Sequence, residues 1–352
     1  MRLSDFKGRD NNFNLIRMLA AISVMVSHAF GITDSAGLRS FHHIFGVGPG
    51  DAGVDVFFLL SGFLVSKSLS GKNWREFVWA RCLRIYPALI VSTILSVVIV
   101  GVFFCQMPLA QFLISRTTVS YVIHNITMLP TFGARLNLAH AFGQPNPVFN
   151  VSLWTLPHEL EMYLLLGSIG FCLGLKPAYA AVIAATGAIV AILESSAGVH
   201  VILIGIDRAR FMYFFFTGVL AYTLRNRIVF SAGWVVLSVA FLAGAIALPL
   251  ISVARETVFA LVLPYLLLWA AYVPAGWLRL WNRVGDYSYG TYICACPIQS
   301  GLFATGIAVT PWRNLAVGVI LVLPVAAASW HLIESRALKV GLPQAWRPRV
   351  EI

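Results

Sequence analysis

Apolar runs separated by short polar connectors recur along almost the whole chain, near residues 14–32, 53–66, 85–105, 152–174, 177–197, 209–224, 229–250, 257–274, 287–307 and 312–333. A helix needs roughly 20 apolar residues to cross a hydrocarbon core about 30 Å thick. Most of these runs have that length, and 53–66 and 209–224 fall short. Inside a bilayer a lone segment can satisfy its own backbone groups only as a helix. The expectation is an all-α polytopic membrane protein with about ten transmembrane helices. Composition agrees: 59% of residues are hydrophobic and 11% charged, against about 25% charged in soluble domains. The runs follow closely enough to predict a single membrane domain over residues 1–352.

A net charge of +11 invites a nucleic-acid partner, but the placement of the charge argues against one. With the N-terminus inside, the inner segments (1–17, 67–84, Lys176, 225–227, 279–283 and the tail after 333) hold 18 of the Lys and Arg residues. The outer segments hold 7, at Arg39, Arg116, Arg135, Arg208, Arg210, Arg255 and Arg313. This bias predicts both termini cytoplasmic, with the lipid bilayer as partner and no nucleic acid.

The five cysteines, Cys82, Cys105, Cys172, Cys294 and Cys296, have no zinc-type spacing, so no metal is expected. The polar start, with aspartates before the first apolar run, favours a retained first helix over a cleaved signal. A long outer loop is expected over about 106–151, punctuated by Pro108, Pro130, Gly133, Gly143, Pro145 and Pro147.

Ionisable groups within such runs are costly and usually face a cavity or a partner. In "RMLAAISVMVSH" Arg17 and His28 fall on nearly one helical face, about 16 Å apart along the axis. His28 reads either as a packed neutral imidazole or as a general base or nucleophile. In "GDAGVDVFFLLSGFLVSK", Asp51 and Asp55 stand at the outer entrance of the second span, while Gly53, Ser61 and Gly62 permit close helix approach. There Asp55 is a helix cap or a functional carboxylate.

In "NWREFVWARCLRIYP", Arg81 and Arg84 are spaced i, i+3 in a loop that also holds Lys67, Lys72 and Arg75. Topological anchoring accounts for single arginines, and a paired face also suits a polyanion. "NVSLWTLPHELEMYLLL" sets Glu159 and Glu161 beside His158, and Pro157 is expected to kink the helix there. The two carboxylates cannot both face one partner. His331 and Glu334 read as a surface pair, Asp286 precedes a run of belt-like tyrosines, and His42, His43, His124, His140 and His200 are peripheral.

With these residues in order, the chain resembles the acyltransferase-3 family of integral membrane O-acyltransferases. The marks are Arg17-x10-His28, "GVDVFFLLSGFLV", Arg81-x-x-Arg84 and "SLWTLPHELEMY", with "GDYSYGTYI…PIQ" and "HLIES" in support. Many relatives carry a histidine where this chain reads Cys294-Ala295-Cys296. The resemblance implies helices around a polar channel in a bacterial inner membrane. It also implies cytoplasmic acyl-CoA, most simply acetyl-CoA, as donor, and a carbohydrate acceptor such as O-antigen, exopolysaccharide or oligosaccharide. No appended extracellular esterase-like domain is expected.

On that resemblance Arg81, Arg84, Arg17 and Ser61 would bind the donor. His28 would act as general base or acyl carrier, Glu159 would orient the imidazole or hold acceptor hydroxyls, and Asp55 and Glu161 would bind acceptor. A transporter or flippase for a lipid-linked sugar is the competing class, since it too needs buried ionisable groups.

Overall fold

The Asn73 side chain accepts a hydrogen bond from the Glu76 amide (2.9 Å), and the Glu76 carboxylate accepts one from the Asn73 amide (3.1 Å). This reciprocal cap starts the longest helix of the computed structural model, which describes residues 1–6, 10–34, 37–39, 46–105, 107–128, 138, 149–197, 205–248 and 251–343. His42, His43, Arg135, His140 and His200 lie outside the described residues.

Among the described residues the main helices are α1 (Phe13–Thr33), α2 (Pro49–Leu69), α3 (Trp74–Ile99), α4 (Leu109–Ile114), α5 (Arg116–Thr127) and α6 (Leu156–Cys172). They continue with α7 (Pro177–Ala197), α8 (Ile206–Thr223), α9 (Ala232–Ala247), α10 (Ser252–Tyr272), α11 (Ser288–Ala304) and α12 (Pro311–Ser329). Extended pairing among the described residues is confined to an isolated bridge between Arg2 and Val229. A helix thus lies at each predicted apolar run.

Among the described residues six segments are long and apolar enough to cross a membrane: Phe13–Thr33, Pro49–Leu69, Trp74–Phe104, Pro177–Ser195, Ser252–Tyr272 and Pro311–Ala337. The remaining helices are shorter or begin with charge; α8 carries Asp207, Arg208 and Arg210 in its opening turns. Part of the predicted loop over 106–151 is helical, as α4 and α5. Ser115 caps α5, its hydroxyl accepting from the Thr118 amide (3.2 Å), and Met128 ends the helix in the left-handed region at φ 53°.

The chain divides into two compact units. The first comprises Met1–Lys67, Ser168–Ser288 and Thr310–Trp312. Within it α7 packs along α8, and α9 along α10. α2 and α8 touch through glycines: a Cβ at Gly62 would meet the Phe215 carbonyl oxygen at 1.9 Å, and one at Gly218 would meet that of Leu59 at 2.1 Å. Gly62 of "LLSGFLV" is therefore a backbone contact point.

Two prolines in this unit leave carbonyls without their helical donor. Tyr213 Oη donates to the Ala260 carbonyl (2.9 Å), which Pro264 leaves free. Asn12 Nδ2 donates to the carbonyls of Ala270 (3.0 Å) and Pro274 (2.8 Å) at the end of α10. The Phe13 ring meets Tyr272 edge-on at 5.2 Å beside Phe63, forming an aromatic core there. The outward faces stay apolar: Val236 is 67% exposed on α9 and Leu261 67% exposed on α10. Such surfaces suit lipid.

The second unit comprises Ser68–Gly167, Tyr289–Val309 and Arg313–Ile352. α3 packs on α5 and on a π-helical turn, Trp330–Glu334, that continues α12. Pro297 frees the Ile293 carbonyl within α11, and the buried Asn150 Nδ2 donates to it (2.8 Å). Pro157 does not kink a helix as expected. It sits in the first turn of α6, after a 3-10 turn (Val151–Thr155), where a missing N–H costs no helical bond.

Candidate functional site

Arg17 and His28 lie on one uninterrupted helix, α1, so the spacing inferred from sequence holds. Arg17 is committed: Nη1 lies 2.9 Å from Asp286 Oδ2, and its guanidinium stands 5.9 Å from the Phe57 ring centroid. Asp286 in turn accepts from the Ser288 hydroxyl and amide. The aspartate that read as a mere prelude to the tyrosine run is thus the buried counter-ion of Arg17. His28 differs. Its Nδ1 is buried and has no hydrogen-bond partner among the described residues. Leaving a buried polar atom unpaired costs about 1–3 kcal/mol, so this nitrogen is placed at a cost to stability.

Asp55 is not a helix cap. It sits in the second turn of α2, fully buried, and both its oxygens accept from Arg210, from Nε at 2.9 Å and Nη2 at 2.6 Å. Arg210 belongs to α8, not to an outer loop as counted from sequence. The planar guanidinium matches the carboxylate in a fork that fixes both groups. The pair lines a cavity of about 190 Å³ between α2, α7, α8 and α10, with Asp207, Tyr213 and Glu256 in its wall.

In the second unit the two arginines share a helix face but not their surroundings. Arg81 lies 5.5 Å from the Tyr163 ring centroid, and its buried Nε has no hydrogen-bond partner among the described residues. Arg84 stands 5.5 Å from the Tyr289 ring centroid, with Nη1 3.6 Å from Glu334 Oε2. Glu334 is not a surface residue paired with His331. It is 2% exposed, and Oε1 accepts from the Ser329 hydroxyl at 2.8 Å. The π turn supplies the extra residue that swings it inward.

Lys72, in the loop between α2 and α3, reports on local charge. Partial burial first, and the nearby Arg81 second, lower its ammonium below the ordinary lysine range. The nearby Glu76 acts on Lys72 in the opposite direction.

The carboxylates of "PHELEMY" separate as their spacing requires. Tyr163 Oη donates to Glu159, while Glu161 Oε2 lies 3.3 Å from His158 Nδ1. Tyr289 and Tyr292 are not belt residues. Both are buried, Tyr289 Oη donating to the Ile85 carbonyl (2.9 Å) and Tyr292 Oη meeting Thr155 Oγ1 (2.6 Å). Ser61 is half-buried on α2 beside the tightly packed Gly62. Among the described residues no three His, Cys, Asp or Glu side chains converge as metal ligands would.

Sequence reasoning missed Arg210 and the inward turn of Glu334. The signals present were the charged start of the 209–224 run and the charge inside "HLIES".

Comparison with known proteins meets this geometry. A family model described as an acyltransferase domain matches residues 10–331, across both units. An O-acetyl transferase of Shigella phage Sf6 is 25% identical over 351 residues, covering 96% of this chain and 98% of that protein. Nodulation protein 10 of Rhizobium leguminosarum bv. viciae is 31% identical over 163 residues, covering 45% of this chain and 44% of that protein. No solved structure matches. The match over most of the chain and the apolar helices agree: the chain is a membrane protein of the acyltransferase-3 family, and an acyltransferase.

Proposed function

We propose that the protein transfers an acetyl group from cytoplasmic acetyl-CoA to a hydroxyl of a surface or secreted carbohydrate, within a bacterial inner membrane. The observation that carries this reading is the end-to-end similarity to an O-acetyl transferase, over 96% of this chain. In this reading the helices cross the membrane ten times with both termini cytoplasmic, as the 18-to-7 division of basic residues favours.

The residues divide the work. Arg81, with Lys72 as a second cation, holds donor phosphates; its buried Nε, without a hydrogen-bond partner among the described residues, favours an anion there. Arg84 acts on the donor less directly, its charge already met by Glu334. Arg17, held by Asp286, and Ser61 keep a donor-side role in this reading. Glu159, Glu161 and Asp55 serve the acceptor, Asp55 through Arg210.

His28 is the base. Its Nδ1, without a hydrogen-bond partner among the described residues, takes the proton of the attacking hydroxyl; the new C–O bond forms as the thioester C–S bond breaks, and CoA leaves as a thiolate that recovers the proton. An acyl-histidine route would use the same nitrogen as nucleophile.

The test is transfer of label from radioactive acetyl-CoA by membranes containing the protein. The acceptor is the producing strain's own surface polysaccharide, de-O-acetylated and cut to oligosaccharides. Alkali-labile label on the carbohydrate is the expected result. Label-free carbohydrate alongside transport of the same oligosaccharide on its lipid carrier would favour the flippase class instead.

A further inference from the structure

The Asp55–Arg210 cavity has a composition that selects among ligands. Its volume of about 190 Å³ is well below the roughly 300–1,000 Å³ typical of sites for drug-sized molecules, so it admits one small ring rather than a chain. Asp55, Asp207 and Glu256 line it against a single arginine, Arg210. An excess of carboxylates repels the phosphates and diphosphate of CoA. It suits a neutral polyol, whose hydroxyls donate to carboxylates and accept from guanidinium.

The rest of the wall fits the same ligand. Tyr213 and Phe214 bring aromatic rings, Ala188 and Ala191 are small, and Ser195 and Thr257 add hydroxyl groups, that of Thr257 donating to the Val253 carbonyl at 2.7 Å. Aromatic carbon beside hydrogen-bonding groups suits the apolar and polar surfaces of a pyranose. Rigidity is built in as well. Asp55 holds Arg210 by both oxygens, and Tyr213 Oη is tied to the carbonyl that Pro264 frees.

We infer that this cavity between α7, α8 and α10 is the acceptor-sugar subsite. It takes one glycosyl ring of the carbohydrate, with Arg210 and Glu256 as its polar contacts and Asp55 as the positioning residue for Arg210. The inference rests on the acyltransferase reading above and gives that reading its acceptor-binding residues.

The experiment uses full-length protein in lipid nanodiscs with acetyl-CoA and the oligosaccharides described above. Two variants are compared with wild type: Ala191→Phe, which fills the cavity, and the milder Glu256→Gln. The readouts are acceptor KM, acetyl-CoA KM and slow acceptor-independent CoA release. Acceptor KM is expected to rise about tenfold or more in Ala191→Phe, which blocks the ring, and in Glu256→Gln, which weakens a hydrogen bond to a charged group. Acetyl-CoA KM and acceptor-independent release are expected to stay within about twofold of wild type, a shift too small for a lost contact.

Unchanged acceptor KM in Ala191→Phe and Glu256→Gln, with wild-type transfer intact, overturns the subsite and leaves the acyltransferase reading standing. Wild-type protein that transfers no acetyl group overturns that reading, and the occupant of the cavity with it. If Ala191→Phe loses acceptor-independent release as well, it is misfolded, and Glu256→Gln decides in the same terms.

Discussion

Arg84 and Glu334 face each other at 3.6 Å, their side chains 13% and 2% exposed, joined across 250 residues of chain by a π turn at the end of α12. Removing one member of a buried pair strands the other's charge, at about 3–5 kcal/mol, whereas removing both can be nearly neutral. Arg84→Met and Glu334→Gln are each expected to lower the thermal stability of the purified protein sharply. The double variant recovers most of the loss. Additive losses in that cycle, followed by thermal unfolding in detergent, would show that the two do not act as a pair.

Arg81 is expected to behave differently, because among the described residues its Nε has no hydrogen-bond partner to strand. Arg81→Ala weakens CoA binding about ten- to a hundredfold, the value of a charged hydrogen bond, and leaves the unfolding temperature nearly unchanged. Lys72 adds a pH signature. Its ammonium is lowered in the free protein, so an anion prefers the protonated form and CoA affinity declines as pH rises through that lowered value. Lys72→Arg abolishes the decline. Isothermal titration at a series of alkaline pH values measures both.

Glu159 accepts from Tyr163, so its carboxylate is oriented before any substrate arrives. Glu159→Gln is expected to lower kcat/KM for the acceptor about a hundredfold, the upper range for a lost hydrogen bond to a charged group. Tyr163→Phe, which removes only the orienting bond, costs about tenfold. Steady-state CoA release with acceptor present checks the order, and full turnover in Glu159→Gln would assign that residue to packing.

Asn150 and Pro297 make a structural counterpart. Asn150→Leu is expected to destabilise the protein by about 1–3 kcal/mol, because the Ile293 carbonyl loses its donor. Pro297→Ala in that background restores an N–H to the same carbonyl and recovers part of the loss. A double variant no more stable than Asn150→Leu alone would exclude this account.

What the sequence made legible follows from what is periodic or local. Apolar runs announced the helices, and the spacing of Arg17 and His28 survives because one helix carries both. The i, i+3 and i, i+4 relations around "PHELEMY" fixed Glu159 and Glu161 on different partners. Partners far apart in sequence were not legible. Asp55 and Arg210 are separated by 155 residues, and nothing in either run's periodicity names the other. Helix lengths also misled, since the 209–224 run looked marginal while its charged first turns are what bring Arg210 to Asp55. Tyr289 and Tyr292 looked like interfacial anchors because the composition of a belt and that of a buried hydrogen-bonded cluster are the same.

The most direct test of the account is binding and turnover of acetyl-CoA by purified wild-type protein and His28→Ala, with the oligosaccharide acceptor present. Saturable binding in both, with CoA released at an appreciable rate only by wild type, is the predicted result. His28→Ala protein that binds acetyl-CoA and releases CoA at the wild-type rate would contradict it.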